Sequence, residues 1–263
     1  MQLNKQMEAI VQVRTIAGTV GVFSLAVAVA GWGGGIDAVT PSHDGSLLEE
    51  TRLSTVNGVV TFQGTAPTMP TIDMSEEQVC AEVYAEPPRD RAVVVNGNGT
   101  LKNVFVYVKE GLDDGATYPQ PTDSVWVDQS ACRYDPNVMG IRVRQTLAVR
   151  NSDATMHNVN ATATENRGFN ISQPVQGMVS TRSFRRPDVM VELACDVHGW
   201  MRAYVGVLPH PFFTTSGDDG SFSIPDLPPG TYTLEAWHAQ YGTQTAEVTI
   251  GDGDSSVEFV FGG

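Results

Sequence analysis

A thiolate, an imidazole and a thioether lie within seven residues of one another in Ala194-Cys195-Asp196-Val197-His198-Gly199-Trp200-Met201. A second imidazole, His157, stands upstream in Asn151-Ser152-Asp153-Ala154-Thr155-Met156-His157-Asn158-Val159. Two imidazoles and one thiolate in a trigonal plane, with a weak axial thioether, form the donor set of a mononuclear type 1 (blue) copper centre. Soft sulfur stabilises Cu(I) and imidazole accommodates both oxidation states, so the chemistry implied is one-electron transfer. Zinc also suits two histidines and one cysteine completed by water, but a thioether is a poor zinc ligand. The plainest alternative makes Cys195 a small buried hydrophobe and the histidines unrelated surface residues.

Four ligands converge only if rigid strands hold the two loops that carry them. The sequence supplies strands. From residue 57 onward, short runs rich in Val, Ile, Thr, Phe and Tyr alternate with Gly, Pro, Asn and Asp turns, the pattern of an all-β sandwich or small barrel. Strands are expected at Gly58–Gly64, Ala92–Val95, Asn103–Val108, Val125–Val127, Ile141–Val149, Val189–Leu193 and Ala203–Leu208. Further strands are expected at Ser221–Ile224, Thr231–Trp237, Thr245–Ile250 and Val257–Phe261. No long stretch has helical periodicity. In residues 211–263, Phe222, Ile224, Tyr232 and Leu234 fall on one face of two strands joined by Pro228-Pro229-Gly230.

The chain has 263 residues and a formal net charge of −14. That charge argues against nucleic acid and against an anionic membrane surface as partners. Lys5 and Arg14 precede an apolar run from Thr15 to Trp32 that contains Ala28-Val29-Ala30. Residues 1–30 therefore read as a signal peptide or, uncleaved, an N-terminal anchor, and residues 31–56 as a linker. Either reading exports the rest of the chain to the periplasm, the cell envelope or the medium. A membrane is a partner only in the uncleaved case. The chain has three cysteines; with Cys195 on a metal, Cys80 and Cys132 are free to form a disulfide in an oxidising compartment. Two buried free thiols are the alternative.

Residues 123–210 resemble the cupredoxins, and the ligand loop is most similar to that of the amicyanins. The likeness lies in Tyr134-Asp135-Pro136, Gln145-Thr146-Leu147, His157-Asn158-Val159 and the Cys-x-x-His-x-x-Met loop. It implies a Greek-key sandwich with His157, Cys195 and His198 in the metal plane and Met201 axial. It also implies that Asn158 stiffens the site and that an exposed edge of His198 is the electron port, with Gly199 and Trp200 on an apolar docking rim. The flanking residues 57–122 and 211–263 resemble the carboxypeptidase regulatory-like domain, a transthyretin-like β-sandwich. That likeness rests on Gly58–Gly64, Leu101–Val108, the Asp219-Gly220-x-Phe222 turn and Leu227-Pro228-Pro229-Gly230-x-Tyr232. Because these matches flank the metal segment, residues 123–210 are expected to be an insertion in one discontinuous sandwich.

The expected function is electron transfer between one type 1 copper and a redox protein, without catalysis. A non-redox copper carrier or sensor, and a surface interaction protein without functional metal, are the alternatives. A second copper centre would need more histidines: beyond His157 and His198 only His43, His210 and His238 exist. Of these, His238 reads as structural and His210 as lining an inter-domain contact.

Overall fold

The computed structural model describes residues 53–251 and 253–262; the expected leader and most of the linker lie outside them. The described chain is all-β apart from one short helix. No described helix is long and apolar enough to cross a membrane.

The chain opens with β1 (Ser54–Gln63), passes the single turn of α1 (Gln78–Ala81) and reaches β2 (Phe105–Glu110). Then follow β3 (Ser124–Ser130), β4 (Arg133–Asp135), β5 (Val138–Arg142) and β6 (Thr146–Asn151). Next come β7 (His157–Thr162), β8 (Phe169–Gln173), β9 (Val179–Arg182), β10 (Asp188–Ala194) and β11 (Arg202–Leu208). The chain closes with β12 (Phe213–Thr215), β13 (Ser221–Leu227), β14 (Gly230–His238), β15 (Gly242–Ile250) and β16 (Ser255–Gly262).

These strands make two sandwiches. In the first, a sheet of order β4-β3-β6-β9 faces one of order β5-β11-β10-β7-β8, around a core that includes Tyr134, Ile141, Leu147, Leu193 and Val205. In the second, β13-β1-β16 faces β12-β2-β14-β15. Its core contains Phe222, Ile224, Tyr232 and Leu234, the four residues expected on a common face. Strands 3 to 11 are thus contiguous in sequence and lie between β2 and β12, both members of the second sandwich.

The strands β2 and β11 depart from simple apolar–polar alternation for a shared reason. Val106 and Val108 of β2 enter the second core, while Phe105 and Tyr107 point the other way. Ala203, Val205 and Val207 of β11 enter the first core, while Leu208 and the half-buried Tyr204 join Phe105 and Tyr107. The two sandwiches therefore press their outer faces together, and strands buried on both faces read as unbroken apolar runs. Gly140 and Gly206 are register partners on β5 and β11 and form a shelf under the aromatic rings. A Cβ on Gly206 would sit 2.4 Å from two ring atoms of Phe105, and one on Gly140 2.3 Å from the Phe213 ring. Phe105 is fully buried and has nowhere to retreat. Gly206→Ala should therefore cost about 1–3 kcal/mol by overpacking, read as a lower urea midpoint; an unchanged midpoint would mean that the two faces do not meet there.

Four sequence expectations need correction. The run Ile141–Val149 is two strands, because Val143–Gln145 turns: Arg144 has φ 69°, and the Gln145 side-chain oxygen accepts from the Arg142 amide at 2.9 Å. Residues Ala92–Val95 form no strand, only an isolated bridge between Val95 and Leu101. The linker's final residues belong to β1, where Ser54 pairs with Leu227 and Val56 with Ser255. Finally, the boundary at 122/123 assigns Met74 and Cys80 to the flanking sandwich, yet both are buried in the first core. Long-range apolar burial and a disulfide draw that segment across.

His210 and His238 are buried. His210 stacks on Phe212, and His238 lies against Tyr241 and Phe261. Burial, reinforced for His210 by the nearby Arg142 charge, lowers each from 6.5 to about 4. Between those values the unfolded chain binds the protons and the folded chain does not, so folding stability falls as pH falls from about 6.5 toward 4. At pH 5 the expected loss relative to pH 7 is about 2 kcal/mol per histidine. Urea titrations at the two pH values test this, and His238→Gln should reduce the difference.

Candidate metal centre

His157 opens β7 directly after the loop that leaves β6, and Cys195 follows the last residue of β10. Strands β7 and β10 are antiparallel partners, with Ala194 opposite Asn160, so the end of one strand meets the start of the other. The loop from Cys195 to Met201 is closed by its own backbone. The Cys195 amide donates to the Met201 carbonyl at 3.2 Å, and the Met201 amide to the His198 carbonyl at 2.9 Å. That closure turns His198 back beside Cys195.

The three donor atoms form a small triangle. Cys195 Sγ lies 3.9 Å from His157 Nδ1 and 3.7 Å from His198 Nδ1, and the two nitrogens are 2.9 Å apart. A point in their plane equidistant from all three is about 2.1 Å from each, close to the bond lengths of a first-row metal to imidazole and thiolate. All three residues are buried. Met201 is buried in the same core as Cys195. His157, Cys195 and His198 are thus brought to one place, and two imidazoles with a thiolate suit copper better than oxygen-preferring cations.

Hydrogen bonds fix His157 and the start of the Cys195 loop. His157 Nε2 donates to Asp153 Oδ2 at 2.9 Å, which leaves Nδ1 facing Cys195; a carboxylate behind an imidazole orients it and raises its basicity. The Asn158 side-chain oxygen lies 3.3 Å from Cys195 Sγ and accepts from the Asp196 amide at 2.6 Å. Its nitrogen donates to Asn170 and Asp196, each at 2.8 Å. The buried Tyr134 hydroxyl donates to the Asn158 carbonyl at 2.7 Å, which ties the two ligand-bearing strands to β4. Burial opposes charge on both Cys195 and His157, but their mutual hydrogen bond and those from His198 and Asp153 win. The Cys195 thiol falls to about 6 and His157 rises to about 9, so the pocket already favours a thiolate.

Cys80 and Cys132 form a disulfide. Two further donor clusters, Glu77-Cys80-His198 and Cys132-Asp153-His157, each contain one of these bonded sulfurs, which have no thiolate to offer. Sequence reasoning missed two neighbours of the site, Asp153 and Glu77. Asp153 also accepts from the amides of Ala131 and Cys132, both at 2.8 Å. Those residues have φ of 52° and 53°, a conformation that costs roughly 1 kcal/mol or more each without glycine. One carboxylate thus holds both a ligand and the turn that presents the disulfide. Its place four residues before His157 was the available signal.

The exposed His198 edge implied by the family resemblance is absent: His198 is fully buried. The segment around α1 covers it. Its Nε2 faces Cys80 Sγ at 3.9 Å and the Glu77 carboxylate at 3.6 Å. Trp200 donates its indole N–H to the Cys132 carbonyl at 3.0 Å and so braces the disulfide, while Gly199 is exposed.

The family model of the carboxypeptidase regulatory-like domain matches residues 203–261, from β11 to β16. No curated protein matches the chain. Solved structures similar to it include a purple cupredoxin from Nitrosopumilus maritimus, 20% identical over 31% of this chain and 97% of its own, with a TM-score of 0.28. A reduced single-residue mutant of amicyanin is 21% identical over 33% of this chain and 84% of its own, with a TM-score of 0.29. A copper-containing nitrite reductase from Thermus scotoductus is 20% identical over 37% of this chain and 25% of its own, with a TM-score of 0.28.

Proposed function

We propose that this chain is an exported electron carrier with one type 1 copper held by His157, Cys195, His198 and Met201. The single observation that carries the reading is the triangle of Cys195 Sγ and two imidazole Nδ1 atoms, sized for one ion and closed off from water. Copper bound there would supply a one-electron couple. The chain's part is to keep the donors in place through both oxidation states: Asp153 and Asn158 fix His157 and Cys195, and Tyr134 ties their strands together. Little ligand movement means little reorganisation on electron transfer.

The domain reading is that residues 123–210 are an insertion between β2 and β12 of a carboxypeptidase regulatory-like sandwich, with residues 72–84 contributed to it from outside. The carrier reading, rather than an enzymatic one, is favoured by where the other described histidines lie: His210 and His238 are packed against aromatic rings away from His157 and His198. A disulfide fits an oxidising compartment.

Reconstitution with Cu(II) followed by visible absorption and voltammetry tests the reading. An intense thiolate-to-copper band with a reversible potential is expected. Bound copper without reversible cycling would make the chain a carrier or sensor of the metal, and failure to bind copper would leave a surface interaction protein.

A further inference from the structure

The cover over His198 raises the question of where an electron enters and leaves. Residues 73–86 carry five carboxylates, Asp73, Glu76, Glu77, Glu82 and Glu86, and no lysine or arginine. Among the described residues, Asp73, Glu76, Glu82 and Glu86 make no ion pair; Arg133, stacked over Tyr84, and Arg89, bridged to Thr71, are cations at the margin. Val79 and Val83 are 39% and 54% exposed amid these charges. Beneath them, Cys80 Sγ stands 3.9 Å from His198 Nε2. An acidic surface with an apolar centre therefore lies directly over the buried His198 imidazole, joined to it through Cys80 and Glu77.

The opposite pole has the opposite sign. Strand β7 runs away from His157 and β10 runs back to Cys195, so the loops at their far ends lie roughly 20 Å from the site. Arg167, Arg185 and Arg186 line a cleft there with Glu165, and among the described residues none of the three arginines has an ion pair. Such polarity turns an approaching cation toward the cap and away from the far end.

We propose that the redox partner is a cationic one-electron carrier that docks on the segment 73–86, with His198 and Cys80 as the point of electronic contact. The proposal rests on the electron-transfer reading. Copper held by His157, Cys195, His198 and Met201 would supply the couple: Cu(I) would give one electron to the oxidised partner and become Cu(II), and no bond or proton would change hands. Uncompensated carboxylates raise the encounter rate and the desolvated valines hold the complex briefly, as fast turnover requires.

The test uses a strongly basic c-type cytochrome as probe and an acidic one as control. A variant combining Asp73→Asn, Glu76→Gln, Glu82→Gln and Glu86→Gln should keep the wild-type visible spectrum and thermal midpoint. Its affinity for the basic probe, by calorimetry at low salt, and the second-order rate at which its reduced form reduces the oxidised probe should each fall at least about 10-fold. Both should lose most of their salt dependence. A variant combining Arg167→Gln, Arg185→Gln and Arg186→Gln should bind the basic probe as the wild type does. Equal affinity in the wild type and the carboxylate variant, or preference for the acidic probe, would overturn the proposal. A centre that does not cycle would refute the electron-transfer reading instead, and the calorimetry would still decide whether cations dock on the cap.

Discussion

Replacing Cys195 with serine is expected to abolish the visible absorption of the copper-loaded protein. The band requires a thiolate, and serine stays protonated where the Cys195 thiol, brought down to about 6, is already ionised. The exchange changes little else: the side chain is nearly isosteric, and the Asn158 oxygen beside Sγ would accept from a hydroxyl. Copper affinity should fall by more than the roughly 10–100-fold that loss of an outer hydrogen-bond partner costs. Absorption and copper titration check both parts. Colour that survives the exchange would remove Cys195 from the ligand set.

The second large effect concerns the cap. Exchanging Cys80 and Cys132 together for serine opens a loop of 52 residues and should lower stability by about 4 kcal/mol in the chain-entropy model. The absorption band should persist, because neither sulfur is a ligand. Asp153 would still accept from His157 and so keep its orientation. With its anchor gone, the segment around α1 should loosen and expose His198, seen as faster hydrogen exchange in residues 73–86. A loss below about 1 kcal/mol would show that Met74 and its core neighbours hold the cap unaided.

The proposed ligand residues were legible because coordination chemistry acts locally. Cys195, His198 and Met201 share one loop, and the residue types alone narrow the metal. The all-β class was legible for a similar reason, since alternation and turn residues are short-range signals. Strands with polar or mixed composition escaped: β4, β7, β8 and β9 include Arg133, Asn158, Asn160, Gln173 and Ser180, and ladder hydrogen bonds rather than apolar faces define them. The disulfide followed from arithmetic on three cysteines, but not its consequence for His198.

The order of residues by itself pointed to the proposed donor set, determined the class of fold and carried the family match over residues 203–261, each through neighbours along the chain. Only the tertiary structure decided that Asp153 stands behind His157, that Phe105 and Phe213 lie on the Gly140–Gly206 shelf, and that His198 is roofed by α1. Each of these depends on contacts between residues far apart in sequence. Such contacts are set by packing and by the cross-link from Cys80 to Cys132, and no local pattern of residues encodes them.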